Sequence, residues 1–181
     1  NVVSASDSDY ASIALPIGIL ATGSIAVRDA LTDYPAGYYA GFDISNGGLL
    51  NLNILGSSTI RTYLNGTLQE TKSGNNLIAG VNTLLDSSRQ TIGFLTTMPF
   101  DEVQFTISQG VGLNLDTTKV YNAVIKRHCA GPALACNAAT KITEPTFPVN
   151  VNGANSGING VACVGCTISN TTGLLDNIDS T

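Results

Sequence analysis

Between Ser58 and Thr71 the chain reads STIRTYLNGTLQET, and Asn65–Gly66 divides the stretch into two runs of period two. Ile60, Thr62 and Leu64 fall on one face and Arg61 and Tyr63 on the other, because successive side chains of a strand point to opposite sides. Asn–Gly supplies the two consecutive positive-φ residues that a two-residue type I′ turn demands. The stretch predicts a β-hairpin, and a hairpin commits its neighbourhood to antiparallel pairing.

The same alternation recurs along the chain. DEVQFTI, Asp101–Ile107, directs Val103, Phe105 and Ile107 inward and Glu102, Gln104 and Thr106 to water. KVYNAVIKR, Lys119–Arg127, is a further strand with two possible inward sets: Tyr121, Ala123 and Ile125, or Val120, Asn122 and Val124. GYYAGFDI and RQTIGFLTT complete the expected core, and their internal Gly41 and Gly93 mark bulges or close backbone approach. Leu77–Arg89, LIAGVNTLLDSSR, is a modest helix candidate, with Gly80 and its β-branched residues against it. Short strands without regular helical crossovers predict an all-β fold, an antiparallel two-sheet β-sandwich of jelly-roll-like form. Its body is expected over 1–127. A cysteine-containing extension of 128–172, rich in Gly, Asn and Pro, would pack on the body or lead to a next unit.

Charged residues are 12% of the chain, against about 25% in ordinary globular proteins. The surface is therefore largely hydroxyl and amide, which suits a secreted protein. The net charge is −5, and the one basic run is Lys126, Arg127 and His128. Nucleic acid needs concentrated positive charge, so it is not an expected partner, and an anionic membrane surface is disfavoured likewise. The most apolar stretch, Ala11–Val27, is interrupted by Pro16 and by glycines and lacks a basic leader. It is expected neither to span a bilayer nor to act as a signal peptide.

Cys129, Cys136, Cys163 and Cys166 all lie in the last third. An even number in a chain of extracellular character predicts disulfides, in any of three pairings, with Cys129–Cys136 and Cys163–Cys166 the simplest. The C-x-x-C spacing of Cys163 and Cys166 also fits a zinc knuckle or a redox pair, a weaker reading in this composition. His128 is the sole histidine, and no G-x-S-x-G elbow accompanies it. Asp101 and Glu102 point to opposite faces of a strand and cannot act as a glycosidase pair. No catalytic residue is expected. Asn65 and Asn170 match the N-glycosylation acceptor pattern, although the turn already accounts for Asn65.

The final stretch GLLDNIDST, 173–181, lies over the first nine residues, NVVSASDSD, with paired hydrophobics followed by Asp–Ser at equal spacing. Asp179 falls on Asp7 and Ser180 on Ser8, which suggests that 173–181 begins another copy of the same unit. Together with YPAGYYAGFDI, RQTIGFLTTMPFDEVQFTI, STIRTYLNGTLQET and ACVGCTISNTTGLLDNIDST, this resembles a repeat module of very large secreted surface adhesins of Bacteroidetes-type bacteria, some linked to gliding motility. The acidic pattern also resembles an early loop of discoidin-type, galactose-binding-like jelly rolls. That resemblance implies a structural Ca2+ site, for which Asp7 and Asp9 at one end and Asp176 and Asp179 at the other are the candidate ligands. Ser4 stands where the other copy has Asp176, so the first loop departs from the pattern. The resemblance implies adjacent repeat modules as partners and a surface polysaccharide or glycan as a possible ligand. Tyr34, Tyr38, Tyr39 and Asp43 are the candidate sugar-binding residues, with sheet packing as the alternative use of the tyrosines.

Overall fold

The computed structural model describes residues 2–3, 6, 8–15, 20–46, 52–81, 89–110, 117–152, 156, 168 and 174–175. In chain order the elements are β1 (Ala11–Ala14), β2 (Thr22–Arg28), β3 (Tyr38–Asn46), α1 (Leu52–Ser57), β4 (Ser58–Leu64), β5 (Thr67–Ser73), a 3-10 turn (Gly74–Asn76), β6 (Ile78–Val81), β7 (Gln90–Leu95), β8 (Glu102–Ser108), β9 (Thr117–Arg127) and β10 (Val151–Asn152). They form two antiparallel sheets, one in the order β1-β9-β3-β7-β6-β10 and the other β2-β8-β4-β5. Among the described residues no helix is long and apolar enough to cross a membrane.

The pairing is nested. β1 pairs with β9, β2 with β8, β3 with β7 and β4 with β5, as in a long two-stranded ribbon whose bend is the Asn65–Gly66 turn. The ribbon is rolled so that β3 also meets β9 and β4 meets β8. Rolling brings the two sheets face to face. Phe42, Ile44, Ile92, Phe94 and Val120 of the larger sheet meet Ile60, Val103, Phe105 and Ile107 of the smaller, all fully or almost fully buried. The rings of Phe42 and Phe105 lie 6.0 Å apart across the interface. Each such side chain contributes about 1.5–3 kcal/mol on removal from water.

Local chemistry accounts for most strand ends. Asn65 and Gly66 have φ of 49° and 77°, and Leu64 pairs with Thr67 directly across the turn. The expected hairpin and the inward set of β8 are both present. Gly41 and Gly93 face one another across β3 and β7, and a Cβ on either would collide with the opposite backbone. They serve close approach, with no bulge at that pair.

Neither inward set expected for β9 runs its full length. Asp43 pairs with Asn122 but Ile44 pairs with Val120, so Tyr121 is an extra residue. This bulge reverses the phase: Val120 is buried on one side of it, and Ala123 and Ile125 pack on the core on the other. Tyr121 is turned to the outer face, where it lies under the Arg89 guanidinium (3.6 Å to the ring) and against the edge of Tyr10 (5.6 Å).

The helix considered for Leu77–Arg89 is absent from its described part. Ile78–Val81 is a strand paired antiparallel with β7, and Leu77 is fully buried. A neighbouring strand edge and the β-branched residues outweigh a weak helical period; 82–88 lie outside the described residues. The short helix α1 instead precedes β4, where the Ser58 hydroxyl donates to the Ile54 carbonyl at 2.7 Å.

Beyond Arg127 the chain leaves β9, crosses the larger sheet and adds β10 to the far side of β6. Four strand spacings separate β9 from β10, about 19 Å at the usual inter-strand distance. On this path the tail covers the outer face, and Tyr39, which points there, is 2% exposed.

Candidate functional site

The crossing tail creates a cleft of about 460 Å³. Lys126, Arg127, His128, Cys129 and Ala130 form one wall, and Glu144, Pro145, Thr146, Phe147 and Pro148 form the other. The first wall is the continuation of β9, held in place because Tyr38 and Tyr39 pair with Arg127 and Lys126. The second is a tight turn. Phe147 N–H donates to the Thr143 carbonyl at 2.9 Å, Val149 N–H to the Phe147 carbonyl at 2.9 Å, and Glu144 N–H to the Leu175 carbonyl at 2.7 Å. Gly131 lies against the Phe147 ring with no space for a side chain, so the two walls are in contact at their base.

Electrostatically the cleft is divided. Lys126, Arg127 and His128 lie on one wall and the Glu144 carboxylate on the other, with Phe147 half-buried between two prolines. Neither Lys126 nor Arg127 has an ion-pair partner among the described residues; the ion pair of Arg28 with the buried Asp101, 2.7 Å, lies at the end of β2 and just before β8. Beneath the cleft, Tyr39 donates to the Ile78 carbonyl at 3.1 Å and meets the edge of His128 at 5.9 Å. Burial, then the negative charges of Asp43 and Glu144, hold the Tyr39 phenol well above its ordinary pKa.

The four residues considered for sugar binding do not form one exposed platform. Tyr39 is buried under the tail and Asp43 is buried, accepting a hydrogen bond from the Thr91 hydroxyl at 2.5 Å. Tyr34 is half-buried, stacks on Phe100 at 5.4 Å and donates to Asp29 at 2.7 Å. Tyr38 is half-buried and tilted against Tyr34 at 6.2 Å. Of the metal candidates, Asp9 is exposed, and Asp7, Asp176 and Asp179 lie outside the described residues. Among the described residues no group of three or more His, Cys, Asp or Glu is placed to hold a metal ion.

The expected disulfide between Cys129 and Cys136 is not formed; both are free and exposed. The chain leaving Cys129 packs through Gly131 onto Phe147. Cys163 and Cys166 lie outside the described residues. In the sequence the basic run at Lys126–His128 stood out, Glu144 was an isolated carboxylate with no assigned role, and Phe147 was passed over. The signal for them was the spacing of Pro145 and Pro148 around an isolated aromatic in a polar tail. Comparison of the chain with protein-family models, curated proteins and solved structures finds no match.

Proposed function

We propose that this chain is a non-enzymatic repeat module of a secreted bacterial cell-surface adhesin, serving spacing, display and adhesion. The observation that carries the reading is the nested ribbon, the strand order of a double Greek-key jelly roll. With the tail crossing its larger sheet, such a sandwich is a stiff bead that presents loops and clefts at its ends. The sparsely charged surface and the resemblance of its motifs to adhesin repeats point the same way. In tandem, weak contacts of single beads multiply into avidity, and Asp176 with Asp179 would sit at a junction suited to Ca2+. The test is protease shaving of intact cells of the native host. Release of this module without lysis supports the reading, and recovery of the module from the cytosol alone overturns it.

The cleft favours a second reading, a carbohydrate-binding module. An open cavity with an aromatic ring, a carboxylate and cations falls within the about 300–1,000 Å³ typical of ligand pockets. Titration of the purified protein with a glycan panel tests it, and absence of binding to every glycan overturns it.

A further inference from the structure

We infer that the cleft between the end of β9 and the 144–148 turn binds a saccharide bearing a carboxylate, a uronic acid unit. This rests on the carbohydrate-binding reading and narrows it to one site and one ligand class. Three features select the ligand. Lys126, Arg127 and His128 line one wall together, and charge-assisted hydrogen bonds to a carboxylate are stronger than those to a neutral hydroxyl. Pro145, Phe147 and Pro148 give the opposite wall an apolar surface, with the ring half-buried and open to the cavity. Glu144 stands beside them as an acceptor for hydroxyl groups.

A polyanion such as nucleic acid meets Glu144 and a chain of net charge −5, which oppose it along its whole length. A neutral sugar would use the aromatic wall and Glu144 but leave the cations without a partner. A uronate has all the complementary parts: a carboxylate for Lys126, on the same face of the sheet as Tyr39, a C–H face for Phe147 and hydroxyl donors for Glu144. Cys129, exposed in the same wall, offers a handle for testing occupancy.

The full chain is titrated by NMR and calorimetry with a galacto-oligosaccharide carrying a single terminal galacturonate and with the neutral galacto-oligosaccharide of equal length. The expected result is binding of the acidic ligand at least tenfold tighter than the neutral one. Substitution of Lys126→Ala with Arg127→Ala should weaken that binding tenfold or more. Because the double variant could fail to fold, a second measurement uses the native sequence: N-ethylmaleimide treatment should abolish binding, while treated Cys129→Ser protein retains it. Equal binding of both ligands overturns the carboxylate preference but leaves the carbohydrate-binding reading standing; binding of neither overturns the inference, and the carbohydrate-binding reading is then decided by the glycan panel. Acidic binding that survives both the cation substitutions and Cys129 modification places the site elsewhere and overturns the inference. The shaving experiment on intact cells reads surface location separately from all of these.

Discussion

Thr62 is fully buried on the inner face of β4, and its hydroxyl has no hydrogen-bond partner among the described residues. A buried hydroxyl without a partner loses about 1–3 kcal/mol of hydration. Thr62→Val keeps the branched shape and removes the oxygen, so it should stabilise the fold by about 1 kcal/mol, read as a higher urea midpoint with an unchanged slope. Asp29 illustrates the opposite economy at the surface. Its carboxylate accepts the Leu31 and Thr32 backbone N–H groups and the Tyr34 hydroxyl. The Leu31 N–H and then the Tyr34 hydroxyl hold its pKa below the ordinary value, and the phenol of Tyr34 is raised in return. A folded pKa below the unfolded one stabilises above the unfolded value and is lost as pH falls through the folded value. The loop at 29–34 should therefore loosen only under acid below about pH 4, and Tyr34→Phe should move the Asp29 NMR midpoint upward. An unchanged midpoint would remove Tyr34 from this account.

At the scale of elements, the Asn65–Gly66 hairpin was legible because its information is local: two residues of known backbone freedom between two alternating runs. The β9 bulge was not. Its sequence contains both inward sets, and only the pairing with β3 at Asp43 and Ile44 decides where one gives way to the other. The Leu77–Arg89 stretch misled for the same reason, since the strand at Ile78–Val81 depends on the exposed edge of β7. The cleft was half legible: its basic wall is consecutive in sequence, while Glu144 and Phe147 reach it only through the tail crossing. Gly41 and Gly93 could be flagged in advance because a glycine inside a strand has few other uses. Gly41→Ala would force its methyl against the Ile92 backbone. A cost of about 1–3 kcal/mol is expected, with the loss of amide protection concentrated in β3 and β7. Protection that falls uniformly would count against the close-approach reading.

For the molecule as a whole, the tail lies over one ionisable group. Tyr39 lies under it, protonated and bonded to the Ile78 carbonyl, with Asp43 and Glu144 opposing its ionisation. A phenol whose folded pKa is raised contributes stability that is fully present below its unfolded value, about 10. That contribution is lost as pH rises through the folded value. Alkaline titration should expose the tail to proteolysis before the strands of the core melt, and Tyr39→Phe should remove the alkaline step at the expense of one hydrogen bond. Simultaneous loss of tail and core in both proteins would contradict this order.

The nested ribbon also bears on how the protein is made. A ribosome delivers β1 first, yet the partner of β1 is β9, whose last residue is Arg127. Apart from the β4–β5 hairpin and the β6–β7 pair, each early strand emerges with its apolar face uncovered and waits for a complement synthesised much later. Vectorial synthesis therefore cannot seal the sandwich in stages. The core between the two sheets can close only once β8 and β9 have emerged to pair with β2 and β1.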